Sequence, residues 1–479
     1  MGIKNSISRN AILNGIKTLL QVVFPLITFP YAAKVLGVEQ IGEYNFAYSI
    51  VSYFMLLASL GIYNYAVREG AALRNNREKI SKFASQILEF NIISMVISYF
   101  ILISLCLFWK ALFNYSSLIM IISINIVLTT FGCEWIYAIY EEYFYITIRG
   151  IVFQLLSMLV LFTCVHSSKD LVMYAISALI SSSGYNVLNI IGLRNKFDFK
   201  IQPLKLLKRH FIPIMLLFAN SIATTIYVNS DTTILGLLVG NRSVGLYSVA
   251  TKVYSIIKAV LASIIIVSIP QMSNFWALNK RNSFENLGNR IFNSFLTIAL
   301  PSMIGIYVLS DDIIRLIADE TYLEASVALR ILSIALLISV FNWFFQSSIL
   351  IPSKNEKYVL YASCAAALLN VLLNFIFIPK FYQSGAAFTT LVAEGVSVII
   401  SGYSAIKIIR IRIKLRDVIS LLLGCIFIVF YSNIIKIVLN KLFWRVGITI
   451  VGSCIGYFVI LFLFKNTVII DNIKKIRKS

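Results

Sequence analysis

The chain has 479 residues, 59% of them hydrophobic and 13% charged, with a formal net charge of +21 and a mean hydropathy of +0.85. Soluble globular domains carry about 25% charged residues, so this composition excludes one. The positive excess would suit a nucleic-acid binder, but its distribution along the chain does not.

Lipid offers no partners to backbone N–H and C=O groups, so an apolar stretch of about 18–25 residues must cross it as a helix. Such stretches fall at 12–33, 44–67, 83–108, 115–138, 150–166, 171–192, 212–239, 244–277, 291–309, 325–351, 358–378, 385–406, 418–438 and 446–464. The expected fold class is an all-α polytopic membrane protein with about fourteen transmembrane helices. The longest loop, Leu193 to Phe211, leaves no room for a soluble domain. The first stretch is too long for the apolar core of a signal peptide and lacks a small-residue cleavage site, so no cleavable signal is expected. With the N-terminus inside, the inner segments hold about 29 Lys and Arg and the outer segments about 8. Cytoplasmic loops carry that excess, so both termini are expected in the cytoplasm, and the basic loops would also attract anionic lipid headgroups. The largest acidic cluster, Asp311, Asp312, Asp319, Glu320 and Glu324, falls outside.

One segment recurs. Gly37, Gly42, Tyr44 and Ala47 share the frame G-x4-G-x-Y-x2-A with Gly240, Gly245, Tyr247 and Ala250. The copies enter the second and eighth stretches, an even offset, so both run the same way through the membrane. That implies parallel repeats related by an axis along the membrane normal. The expected organisation is a six-helix lobe over 1–192, a cytoplasmic linker over 193–211, a second six-helix lobe over 212–416, and two further helices with a basic tail over 417–479.

Ionisable residues at membrane depth are costly and usually face a bundle interior or a wet cavity. In the first stretch Asn14, Lys17 and Gln21 share a stripe. Arg68 lies near the cytoplasmic end of the second. In the seventh, Asn220, Thr224, Tyr227 and Asp231 follow helical spacing, and in the eighth Tyr247, Thr251, Tyr254 and Lys258 do the same, with Lys252 nearby. Arg330, then Ser339, Asn342 and Gln346, lie on the tenth. Glu394, Ser397, Ser401 and Ser404 align on the twelfth. Serine, threonine and asparagine at such positions also serve plain helix packing. The cations Lys17, Lys252, Lys258 and Arg330 favour a hydrated central cavity instead, with Asn14, Gln21, Asn220, Thr224 and Tyr254 as its polar lining; for Arg330, snorkelling outward or pairing with the acidic outer loop near Glu324 is the alternative. Glu134 and Glu89 are candidates for coupling to a proton or other cation, followed by Asp231 and Glu394. Six scattered cysteines and two isolated histidines offer no disulfide or zinc spacing, so neither metal nor cofactor is expected. A phosphate-binding P-loop is also missing from the sequence.

Several segments, in order, resemble bacterial lipid-linked oligosaccharide flippases, the Wzx-type O-antigen and capsule repeat-unit transporters. They are Phe29-Pro30-Tyr31 with Val35-Leu36-Gly37 and Gly42; Leu60-Gly61-Ile62-Tyr63-Asn64-Tyr65 with Arg68-Glu69; Asp231 before Leu235-Gly236; and Asn370 to Asn374, then Ile378-Pro379-Lys380, Gly385-Ala386-Ala387 and Glu394. Phe381 to Ser384 departs from the pattern, where the family often has a glycine.

The resemblance implies membership of the multidrug/oligosaccharidyl-lipid/polysaccharide exporter superfamily and alternating access by two six-helix lobes. It implies an undecaprenyl-pyrophosphate-linked oligosaccharide moved from the inner to the outer leaflet of the bacterial inner membrane. H⁺ or Na⁺ coupling, and contact with a glycan polymerase and chain-length machinery, are further expectations. Nucleic acid is not expected as a partner, and catalysis is not expected. The pyrophosphate would meet Lys17, Lys252, Lys258 and Arg330, with Arg68 at the entrance. Two other classes stay open: a cation-coupled multidrug exporter of the same superfamily, and a membrane enzyme of lipid-linked glycan assembly. A cavity for cationic drugs should be acidic, whereas these mid-span charges lean basic.

Overall fold

The computed structural model describes residues 23–470, and every regular element among them is a helix. Eleven of these helices are long and apolar enough to cross a membrane; two apolar helices, α1 (Val23–Leu36) and α5 (Ser116–Gly132), are shorter. Large apolar side chains crowd the outside: Phe108 is 85% exposed and Ile437 83%. Outward-facing apolar side chains suit hydrocarbon and not water. The chain divides into two compact units, Met1–Gly245 and Leu246–Ser479.

The first unit continues from α1 with α2 (Val38–Ser59), α3 (Ile62–Gly70), α4 (Arg77–Phe108), α5, α6 (Glu134–Ile139), α7 (Tyr143–Cys164), α8 (Leu171–Leu179), α9 (Asn186–Gly192) and α10 (Leu204–Leu238). Two stretches expected as single helices are broken. The second breaks at Leu60 and Gly61, both left-handed at φ 45° and 72°, and the fourth breaks at Cys133, φ 41°. Glycine takes that conformation freely, but Leu60 and Cys133 do so against their own Cβ. A core of Tyr65, Ile80, Phe83, Ile87, Trp135, Ile136 and Ile214 packs around both breaks. Burial of these large side chains offsets the local strain, as strained backbone requires.

Between α9 and α10 the chain is strapped to α4. The backbone N–H groups of Asp198, Lys200 and Gln202 donate to Ser81 Oγ (3.0 Å), Ser85 Oγ (3.0 Å) and Glu89 Oε1 (2.8 Å). Four residues of helix rise about 6 Å, and two residues of extended chain advance about 6.6 Å. The i, i+4, i+8 stripe therefore meets every second N–H of the strap. Arg77 closes the end with a bidentate pair to Asp198 at 3.0 and 3.1 Å. That hydrogen bond holds the Asp198 carboxyl below its ordinary range.

The two copies of the repeated frame touch. A Cβ on Gly42 would fall 1.8 Å from the Asn241 carbonyl oxygen, and one on Gly245 would fall 2.0 Å from the Val38 carbonyl oxygen. Asn241 also accepts from the Tyr115 hydroxyl at 2.8 Å.

The second unit holds most of α11 (Asn241–Ala277), then α12 (Arg281–Ile317), α13 (Ala325–Trp343), α14 (Glu356–Ile406), α15 (Leu415–Val438) and α16 (Leu442–Leu463). A π-helical segment, Phe344–Leu350, extends α13. Tyr382, at φ 53° and ψ −130°, splits α14 into two arms just after Pro379, where the sequence places the turn between stretches eleven and twelve. Gly385 lies against the first arm: a Cβ there would be 2.5 Å from the Phe377 carbonyl oxygen. The last two helices dock on α12. Leu421, Cys425, Ile428, Tyr457 and Leu461 pack on Leu296, Leu300 and Ile304, and the Tyr457 hydroxyl donates to the Thr297 carbonyl at 2.8 Å. Arg445 and Asp312 pair at the other end.

Candidate functional site

Within the second unit, polar side chains from three apolar helices converge. Lys258 on α11 reaches Glu394 on α14, Nζ to Oε1 at 2.9 Å. Tyr254, one turn earlier on α11, lies in the same contact: its hydroxyl accepts from Lys258 Nζ at 3.0 Å and donates to Glu394 Oε1 at 3.4 Å. Asn342 on α13 donates to Glu394 Oε2 (3.3 Å) and to Ser397 Oγ (2.8 Å). Gln346 donates to Asn342 Oδ1 at 3.0 Å, and Ser401 donates to the same oxygen at 2.8 Å. The i, i+3/i+4 stripes on α11, α13 and α14 are thus one connected network.

Its electrostatics are asymmetric. The Glu394 side chain is 4% exposed and that of Lys258 31%. A carboxylate buried among apolar helices needs a cation and hydrogen-bond donors to remain charged, and Lys258, Tyr254 and Asn342 supply them. The charge of the pair is balanced, so the network offers hydrogen-bonding groups more than net positive potential.

The other expected residues are placed as follows. Arg330 grips Asp311 through both carboxylate oxygens at 2.7 Å and donates to Ser310 at 2.8 Å. This is an ion pair with the acidic cluster at the far end of α12. Arg68 is exposed and pairs with its neighbour Glu69 at 3.0 Å. Glu89 is an acceptor of the strap. Glu134 faces Arg149 at 3.5 Å. Asp231 is buried, Lys252 is half-buried and Thr224 is exposed. Asn14, Lys17 and Gln21 lie outside the described residues, as does the side chain of Asn220.

Sequence reasoning missed two clusters. Arg149, counted with the other basic residues of the inner segments, is buried among Tyr137, Tyr145 and Tyr185. The density of tyrosines between 137 and 145 was the available signal. His210, read as isolated, lies 2.7 Å from the Tyr65 hydroxyl through Nδ1, and Arg209 Nε donates to its Nε2 at 3.1 Å. Tyr65 is far away in sequence, so no local pattern could pair them.

A family model described as "Polysaccharide biosynthesis protein" matches residues 7–276, more than half of the chain. The chain belongs to the polysaccharide biosynthesis protein family. A second model, MatE, matches residues 216–376. Among curated relatives of this family member, a putative O-antigen transporter of Escherichia coli (strain K12) is 25% identical over 400 residues, covering 82% of this chain and 94% of that protein. The capsular polysaccharide biosynthesis protein CapF of Staphylococcus aureus is 24% identical, covering 75% of this chain and 89% of that protein. Among solved structures, the lipid II flippase MurJ in an inward closed conformation superposes with a TM-score of 0.77 at 20% identity, covering 96% of this chain and all of that one. A multidrug resistance MATE family transporter, inward-facing, gives 0.63 at 13% identity, covering 83% and 98%. At these identities the likeness is one of fold: a multi-pass helical membrane protein.

Proposed function

We propose that this chain translocates a polyprenyl-diphosphate-linked oligosaccharide from the cytoplasmic to the outer leaflet of a bacterial inner membrane, for O-antigen or capsular polysaccharide synthesis. The observation that carries this reading is the connected Lys258–Glu394–Asn342–Gln346 network between apolar helices of the second unit. A glycan headgroup needs hydrogen-bonding amides and hydroxyls where lipid would offer none. The relatives named for O-antigen and capsule point the same way. A third relative, a probable low-salt glycan biosynthesis flippase, Agl15 of Haloferax volcanii, matches at 23% over 200 residues, 42% of each chain.

In this reading two six-helix lobes alternate access by rocking, and both termini are cytoplasmic. The network of the second unit holds sugar. Lys252 and Lys17 supply charge for the diphosphate, and the charges of Lys258 and Arg330 are met by Glu394 and Asp311. Uphill movement draws on H⁺ or Na⁺, and polymerase contacts run through the cytoplasmic basic loops. The balanced Lys258–Glu394 pair argues against a cationic-drug cavity, which would leave its carboxylate unpaired.

The test is reconstitution. Purified protein in liposomes should make a fluorescent polyprenyl-diphosphate oligosaccharide accessible to an external quencher. A chain that moves cationic dyes and leaves that lipid in place would shift the reading to drug export. Formation of a glycosidic bond by the chain would shift it to an assembly enzyme.

A further inference from the structure

The Arg149 guanidinium is built to receive something. The residue is 3% exposed. Its Cζ lies 4.6 Å from the Tyr185 ring centroid, 5.4 Å from that of Tyr145 and 5.6 Å from that of Tyr137. Cation–π attraction to three rings offsets part of its desolvation. Guanidinium carries five N–H donors, yet among the described residues none of its three nitrogens has a hydrogen-bond acceptor. Glu134 Oε1 stands off at 3.5 Å, long against the roughly 2.7–2.9 Å of a charge-assisted bond. A buried cation this poorly satisfied is a group with unused binding capacity.

The access is on the Glu134 side, because that side chain is 21% exposed and Arg149's is 2%. Glu134 opens α6 immediately after the left-handed Cys133, so it sits on a joint. Titratable groups from several elements face the pair. Tyr185 hydrogen-bonds Glu134, and Tyr63 of α3 and Tyr143 of α7 are close. Tyr145 stacks on Tyr137, and Tyr137 donates to the Asn189 carbonyl at 2.8 Å. Lys196 lies over Tyr137 and is paired with Glu142. Glu142 is held by Lys196, which leaves Glu134 as the carboxylate beside the Arg149 guanidinium.

We infer that Arg149 is a receptor for the phosphate or diphosphate of a lipid-linked substrate, and that Glu134 is its exchangeable occupant. The anion enters from the Glu134 side and takes the guanidinium donors in a bidentate fork. Glu134, displaced beside a new negative charge, takes up one proton from the cytoplasm. Anion and proton therefore bind together, which is one half of a coupling cycle. Topology supports the place: Arg149 falls on the cytoplasmic side in the positive-inside arrangement, where the substrate is loaded. The inference rests on the flippase reading for the identity of the anion.

The test is binding, which needs no transport. Purified protein in detergent is titrated with undecaprenyl diphosphate, with inorganic pyrophosphate and phosphatidylglycerol as competitors, between pH 6 and 8. The expected wild-type behaviour is tighter binding at pH 6 and competition by pyrophosphate. Glu134→Gln should bind about tenfold tighter at pH 8 and lose the pH dependence, tenfold being one unit of protonation linkage. Arg149→Gln should weaken binding at least about tenfold, and Arg149→Lys, which keeps a point charge without the fork, should fall between. Thermal unfolding of each variant identifies any that fails to fold, and Glu134→Gln, nearly isosteric, keeps the test alive if Arg149→Gln does not fold. Unchanged affinity in a folded Arg149→Gln, an unchanged pH profile in Glu134→Gln, or equal competition by phosphatidylglycerol would each overturn the site. Tight, Arg149-dependent binding without any flipping would instead retire the flippase reading and leave the site standing.

Discussion

Gly42 and Gly245 occupy the same place in the two copies of the repeated frame, and each gives room to the other copy's backbone. Gly42 lies under the Asn241 carbonyl and Gly245 under that of Val38, and Val38 and Asn241 are themselves equivalent positions. This reciprocity explains why the second glycine of the frame is retained in both copies: a side chain there meets a carbonyl oxygen, which cannot rotate away.

A methyl group at either glycine therefore has to push backbone aside. Gly42→Ala or Gly245→Ala should destabilise by about 1–3 kcal/mol, the usual cost of overpacking a tight contact. Thermal unfolding of the purified variants checks this. Gly150→Ala, which would meet nothing within 4 Å, is the control and should leave the midpoint unchanged or slightly raised, since alanine favours helix.

Glu89 separates a strap role from a coupling role. Its Oε1 accepts from the Gln202 N–H, a job that glutamine's oxygen does equally well. Glu89→Gln should therefore keep stability and transport, and Glu89→Ala should cost about 0.5–1.5 kcal/mol for one lost hydrogen bond. Loss of transport in a stable Glu89→Gln would return the residue to the coupling candidates. The Arg77–Asp198 pair adds a small pH dependence. Asp198 is depressed when folded, so its contribution is present above the ordinary carboxylate range and fades as pH falls through the folded value.

In the second unit the two halves of one ion pair should respond unequally. Lys258→Ala leaves Glu394 buried without its cation. Glu394→Gln leaves Lys258 with about a third of its side chain exposed. Lys258→Ala is expected to destabilise by about 3 kcal/mol, toward the low end for a broken buried pair, and Glu394→Gln by roughly 1 kcal/mol or less after solvent screening. Both should reduce glycan export. Equal stability losses would contradict the asymmetry, and normal export in both would remove the network from the substrate path.

Orientation is open to a direct check. Cysteines placed at Asn282, in the first turn of α12, and at Thr321, just past its C-terminal end, both exposed, should label from opposite sides of sealed vesicles in a background lacking the native thiols. Asn282→Cys is expected to react from the cytoplasmic side and Thr321→Cys from the outer side. The reverse pattern would invert the topology.

Much of the fold was legible because the membrane allows few solutions: a long apolar run becomes a helix, and Pro379 with its neighbours marks a turn. The polar stripes on α11, α13 and α14 were readable from 3.6-residue periodicity alone, and the structure brings Lys258, Asn342 and Glu394 together. The breaks at Leu60 and Cys133 were not readable, because neither residue favours a left-handed backbone and only the surrounding core imposes it. Arg149 was misread because a basic residue at a span end carries the same sequence signal whether it is solvated or enclosed by rings. Arg330 joined the cavity list on depth, and the structure favours its alternative, a pair with the acidic cluster through Asp311 on another helix.

The most direct measurement of the central claim is the leaflet in which lipid-linked repeat units reside when the gene is deleted from its host. The account predicts complete repeat units trapped in the cytoplasmic leaflet and restored to the outer leaflet by the wild-type gene. Incomplete repeat units, or complete units still reaching the outer leaflet, would contradict it.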